Sequence, residues 1–269
     1  LNILRIKFFR GEEVKYISHL DLMKLFERAL RRAKIQIAYS QGFNPHPQMV
    51  FGLPLSVGVT SEAEYADFEF TTGIKANDFI ERLNKELPKG MLIVEAAERK
   101  SRDNIMATIS AASYDILLSS DEKREMGSLN NSIDQFLQLP SINAKKENKH
   151  GVREIDIRPM IYDVKIKDLE VLPTKDAYGE VEKETTIINQ YLDKLQDDKF
   201  LPPSYSLENI FCLSVILSAG SVANLKAELF VTALCDFMET GVRLVKTHRT
   251  GLFVGTADRL ISPLDESIL

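Results

Sequence analysis

Between residues 4 and 96 the hydrophobic pattern changes period in a fixed order, and that order restricts the possible folds more than any other feature of the chain. Leu4, Ile6 and Phe8 alternate with Arg5, Lys7 and Phe9, the period-two pattern of a half-buried strand. Gly11 punctuates it, and residues 14–17 either continue the strand or pair back as a hairpin. Leu22, Leu25, Phe26, Ala29, Leu30 and Ala33 then recur at helical spacing. Residues 35–39 read as a short extended piece. Residues 49–55 read as a strand that Pro54 ends or sets at an edge, and EYADFEF at 64–70 as a further strand. Phe79, Ile80, Leu83 and Leu87 share one face of a helix over 76–87, stopped by Pro88 and Gly90. Residues 92–96 close the series as a short strand. The order β-α-β-β-α-β is the ferredoxin-like arrangement, whose two helices cover one face of a sheet.

Residues 97–112 carry no strong period and read as a join. A second set follows: a strand at 114–118, a helix over 131–139 ended by Pro140, and a polar, basic loop, INAKKENKHG. Strands are expected at 152–157 and 162–169, with Arg158-Pro159 between them, and a helix over 183–195 in an acidic region. A buried strand at 211–217 leads to a helix over 225–238 capped by Asn224. Strands at 243–246 and 251–254 come last, and the tail after Gly255 reads as peripheral. We therefore expect an α+β chain of two ferredoxin-like (β-α-β-β-α-β type) halves with helices on one sheet face, over residues 1–110 and 111–269. No residue-level repeat relates the two halves.

At 269 residues the chain can bury a sizeable core, and 44% apolar with 27% charged residues is ordinary for a soluble globular protein. No run of about 18 apolar residues appears, so no membrane-spanning helix is expected. The segment LNILRIKFFRGEE is too charged for a signal peptide and reads as a strand. Cys212 and Cys235 sit inside apolar runs, as buried thiols of a cytoplasmic protein would. The net charge of −5 argues against a wholesale nucleic-acid binder, but the charge is unevenly spread. Residues 1–50 hold nine Lys and Arg against four Asp and Glu; residues 168–198 hold three against nine. A basic patch on an acidic protein is compatible with that split.

The basic excess centres on the first helix. Ser18 is positioned as its N-cap and Asp21 makes a capping-box-like pair with it. Lys24, Arg28 and Arg31 fall opposite the apolar face, with Arg32 to one side. The following loop, QGFNPHP, has a glycine and two prolines that restrict its backbone. Gln41, Asn44 and His46 are its polar groups, and Tyr39 and Phe43 are aromatics suited to stacking. Helix and loop read either as a recognition surface or as a solvated face followed by an ordinary turn.

The run YISHLDLMKLFERALRRAKI…AYSQGFNPHPQMVFGLPLSVGVTSEAEY, with REIDIRPMI, LSAGSVANLKAEL and THRTGLF, resembles the motifs of the radical-SAM-linked proteins of bacteria. The resemblance covers nearly the whole chain. It implies a stand-alone protein, or one fused behind a radical-SAM enzyme of the cobalamin-binding type, with a radical-SAM enzyme as partner. It also implies a genomic setting near a ribonuclease of the E/G type and ribosomal proteins.

The chemical inventory is short. His19, His46, His150 and His248 show no zinc-finger or HExxH spacing, and no metal site is expected. His19 and His46 flank the basic helix and are the candidates for acid–base work. There is no CxxxCxxC run, so an iron–sulfur cluster and S-adenosylmethionine would belong to the partner enzyme and this chain is expected to bind no cofactor. Gly220 lies between a strand and a helix start, where Asn224 and Lys226 either complete an anion site or make a capped turn. Arg158 shares a strand face with Asp156, as an ion pair would, and Arg249 adds a cation beside His248. Together these features point to an accessory protein that binds RNA or presents a substrate to a radical-SAM enzyme, in tRNA or rRNA modification or processing. The alternatives are an enzyme acting on a small anionic substrate in a cleft between the halves, and a protein–protein adaptor.

Overall fold

The computed structural model describes residues 2–121, 125–148, 151–167, 209–221, 223–238 and 241–269. The helix expected over 183–195, the acidic stretch from 168 and His150 lie outside the described residues. The chain forms two compact units. Unit 1 is Leu1–Ser113 with Ser218–Asn224 and Arg249–Leu269, and unit 2 is Tyr114–Leu217 with Leu225–His248. The protein is α+β, built mostly on antiparallel strands.

Unit 1 begins with β1 (Asn2–Arg10), a 3-10 turn at Glu12–Val14, and helix α1 (His19–Arg32). β2 (Met49–Phe51), β3 (Thr60–Phe70), α2 (Ala76–Asn84) and β4 (Met91–Glu98) follow. β4 and β3 flank β1, both antiparallel to it, and β2 pairs with β3 through Met49 opposite Phe68. The order β4-β1-β3-β2 is that of a βαββαβ sheet. Alternation places Leu4, Ile6 and Phe8 with Ala66 and Phe68 on one face, where Phe26 and Leu30 of α1 and Phe79 and Leu83 of α2 complete the core. Edge-on rings join it: Phe8 to Phe26 at 5.3 Å, Phe26 to Phe68 at 5.4 Å and Phe70 to Phe79 at 5.4 Å. Each such phenylalanine contributes about 1.5–3 kcal/mol by burial.

The other sheet face of unit 1 is closed by buried charge. Asp67 accepts from Arg5 (Nε to Oδ1, 2.8 Å), Arg99 (Nη1 to Oδ2, 2.8 Å) and the Ile105 amide (2.8 Å). Ile105 opens a single helical turn, α3 (Ile105–Thr108). The tail expected to be peripheral is instead tied in. The Pro263 carbonyl accepts from Arg5, and the Leu269 carbonyl accepts from the amides of Lys100 and Ser101.

Unit 2 draws on β5 (Ile109–Ser119), α4 (Met126–Gln138), β6 (Asn143–Asn148), β7 (Gly151–Asp156), β8 (Ile161–Lys167), β9 (Ile210–Ser218), α5 (Ala227–Met238) and β10 (Arg243–Thr256). Its order β10-β5-β9-β8 repeats the βαββαβ pattern. Phe136 of α4 stacks tilted against Phe237 of α5 at 5.3 Å, binding the two helices together. The polar segment expected to be a loop forms half of a β6–β7 hairpin, with Lys145 opposite Glu154. The two strands expected at 243–246 and 251–254 are one continuous strand, β10, whose Arg249–Thr256 end belongs to unit 1 and is paired by β11 (Arg259–Ile261). Cys212 is buried and Cys235 half-buried, and both are free thiols. Among the described residues no helix is long and apolar enough to cross a membrane.

Candidate functional site

Helix α1 is placed by both of its ends. The Ser18 hydroxyl accepts from the Asp21 amide (3.2 Å) and donates to the Asp21 carboxylate (2.7 Å), so the N-cap read from the sequence is made. At the other end Lys34 takes a positive φ of 55°, and the Ile35 amide donates to the Leu30 carbonyl (3.0 Å). Arg82 of α2 donates to the Ala33 and Lys34 carbonyls at 2.8 and 2.9 Å. Buried Arg10 donates to the carbonyls of Val14 and Ile17, fixing the turn that leads into the helix.

With the helix so held, Lys24, Arg28 and Arg32 fall at i, i+4 and i+8 along one stripe. They line a groove of about 500 Å³ together with Glu86, Leu87 and Pro88, just past α2. Ile17, Asp21 and Leu25 complete it. Arg32 is committed: its Nε donates to Glu86 at 2.9 Å, and its Nη2 to the Glu86 carbonyl. Lys24 and Arg28 make no ion pair with any described residue. Arg31 stands outside the groove lining, exposed and paired with Glu27 at 3.3 Å.

The QGFNPHP loop is a closed turn. The Ser40 amide donates to the His46 carbonyl and the His46 amide to the Ser40 hydroxyl, both at 2.9 Å. Gln41, Asn44 and His46 are exposed at its tip, and Phe43 is fully exposed. None of them is among the groove-lining residues. His19 is half-buried, its ring edge-on to Phe51 at 5.5 Å.

The remaining candidates do internal work. Arg249 is buried and donates to Glu64 (2.7 Å) and to the Leu53 carbonyl (3.1 Å), so it is an interior ion-pair partner and no surface cation. Burial pulls the Arg10 guanidinium below its ordinary value; Glu64 opposes that and Arg249 adds to it. The ion pair expected between Arg158 and Asp156 is absent. The Asp156 carboxylate accepts from the amides of Ile142 and Arg158, while the Arg158 guanidinium donates to the carbonyls of Leu137 and Ile161. Backbone groups at a helix end and a turn outcompete the neighbouring side chain because they would otherwise be unsatisfied. Gly220 has a φ of +109°, and a Cβ there would stand 2.2 Å from the Ile109 carbonyl oxygen, so a glycine is required by close backbone approach. Asn224 is half-buried and is not the helix cap expected, because α5 starts at Ala227 and the carbonyl of exposed Lys226 is its first acceptor. Among the described residues no three His, Cys, Asp or Glu side chains converge as a metal site would require.

Sequence reading missed that Leu87 and Pro88 join the basic residues of α1 in one groove. Leu87 and Pro88 registered only as a helix face and its stop, and nothing local to them signals proximity to residues more than 50 positions earlier.

Two βαββαβ sets make this a protein of ferredoxin-like α+β halves, with a basic groove on the first. The family model described as "Uncharacterized protein conserved in bacteria (DUF2344)" matches residues 4–199, and the chain belongs to that family. That description names no partner enzyme, so the link to radical-SAM enzymes rests on the motif resemblance alone. No curated protein matches the sequence. Among solved structures the chain is similar to one in "Crystal Structure of a Cbf5-Nop10-Gar1 Complex", with TM-score 0.46 and 8% identity over 93% of this chain and 48% of that one. Another is in "Crystal structure of the archaeal box H/ACA sRNP Nop10-Cbf5 complex" (TM-score 0.42, 8% identity, 92% and 46%). A third is in "Structure of H/ACA RNP bound to a substrate RNA containing 2'-deoxyuridine" (TM-score 0.41, 6% identity, 93% and 46%). The chain spans about half the length of these solved chains.

Proposed function

We propose that the protein binds structured RNA through the outer face of α1 and presents it to a radical-SAM enzyme, the partner that the motif resemblance implies. The observation that carries the binding is the stripe itself: Lys24 and Arg28 one turn apart, beside a groove and without a described carboxylate partner. A cation already paired must exchange its carboxylate for a phosphate, which leaves little net gain. Arg31 and Arg32 therefore contribute less than Lys24 and Arg28. The exposed Phe43 offers a π-face for an unpaired base, and Gln41, Asn44 and His46 beside it offer hydrogen-bonding groups.

Filter binding of cellular RNA across a salt series tests the reading. Each phosphate contact removed lowers the salt slope by roughly 0.7–0.9. The double variant Lys24→Ala with Arg28→Ala should bind more weakly at every sequence, with a slope reduced by about 1.5, while Arg31→Ala stays near wild type. Weak, salt-insensitive binding by wild type and double variant alike removes the reading. Presentation to a partner is tested by affinity purification from the native cell: a radical-SAM enzyme should be retained, and its absence with RNA present removes that half.

A further inference from the structure

The groove beside α1 has a composition that a phosphate-binding track does not need. Its apolar lining, which we take as its floor, is Ile17, Leu25, Leu87 and Pro88, of which the first three also pack on the core of unit 1 and remain half-exposed. A backbone track contacts hydrated phosphates and gains nothing from an aliphatic floor. A site that buries a base or a ribose does gain from one. About 500 Å³ falls within the range of small-ligand sites, roughly 300–1,000 Å³.

Resting on the RNA reading above, we propose that the groove receives a single nucleotide unit. Its phosphate is held between Lys24 and Arg28, and its base and sugar lie over the aliphatic floor. Side chains four positions apart on a helix have Cβ atoms about 5–6 Å apart, so both cations reach one phosphate. The charge balance selects among phosphates. Lys24, Arg28 and Arg32 face Asp21 and Glu86, which leaves one net positive charge in the groove. That matches the single negative charge of a backbone phosphodiester, and lies closer to a monophosphate's roughly −1.5 to −2 than to the charge of a di- or triphosphate. Asp21 and Glu86 are acceptors, suited to the N–H and O–H donors of a base and a ribose.

Calorimetric titration of the full chain with AMP, GMP, CMP and UMP tests this, with inorganic phosphate and the four nucleosides as controls. At least one monophosphate should bind about tenfold more tightly than inorganic phosphate, more tightly than its nucleoside and more tightly than its own triphosphate, and it should displace bound RNA. Lys24→Ala and Arg28→Ala should each weaken it about tenfold. Leu87→Asn should weaken the monophosphate and leave inorganic phosphate unchanged, with circular dichroism confirming the fold. Pro88→Ala, which disturbs the core less, serves if Leu87→Asn unfolds. Monophosphates that bind no better than inorganic phosphate overturn the proposal. So does RNA binding that needs Lys24 and Arg28 while no monophosphate binds, an outcome that leaves the RNA reading standing. Monophosphate binding without RNA binding supports the pocket and overturns the RNA reading.

Discussion

Glu64 holds a buried position between two buried guanidiniums. It accepts from Arg249 at 2.7 Å, and its charge also acts on Arg10. Removing one member of such a group costs more than the pair ever contributed, because a desolvated charge is left without compensation. Glu64→Gln should therefore destabilise the protein by about 3–5 kcal/mol in urea unfolding, although Gln keeps the shape and an acceptor. Cys212 gives a second test at this scale. Burial, reinforced by Asp115, pushes its thiol up to about 12. The folded state thus keeps its proton where the unfolded chain releases it, and the stabilisation is complete below an unfolded value of about 8.5. It is lost as pH rises from there towards 12. Wild type should lose stability across that window more steeply than Cys212→Ala, as read from urea midpoints at a series of pH values. Coincident profiles would show that another group governs the alkaline limb. The thiol's burial was legible in the sequence from the apolar run around it. The Glu64–Arg249 pair was not, because 185 positions separate its members and local pattern carries no information about such a contact.

At the scale of elements, α1 was readable almost in full because two independent signals agree there, a capping residue and a helical apolar period. Its C-terminal support was not readable. The two hydrogen bonds from Arg82 reach it from α2, and α2 announces only its own apolar face. Arg82→Ala should cost about 1 kcal/mol and speed amide exchange at Lys34 and Ile35, with little change at Leu22 near the other end. Uniform exchange along α1 would show that Arg82 does not hold that terminus. The β6–β7 hairpin escaped sequence reading for a different reason. β7 exposes five of its six residues, so no buried face imposes the alternation by which a strand is recognised. The start of α5 was misplaced by two residues because Asn224 has the chemistry of a cap without its position.

At the scale of the whole molecule, the βαββαβ order of the first half was legible because strand and helix periods differ enough to be told apart in single segments. The division of the chain was harder to see. Unit 1 takes its last strand and its covering tail from residues 249–269, and composition does not distinguish those residues from their neighbours. The same late segment supplies both Arg249 for Glu64 and the Pro263 carbonyl for Arg5. Synthesis runs at about 5–20 residues per second, so the 185 positions between Glu64 and Arg249 correspond to roughly 10–40 s. Throughout that interval the ribosome holds a nascent first half whose interior carboxylate has Arg10 near it but still lacks the guanidinium that donates to it. The first half of the chain can collapse early, but it acquires its final electrostatics only as the last residues emerge.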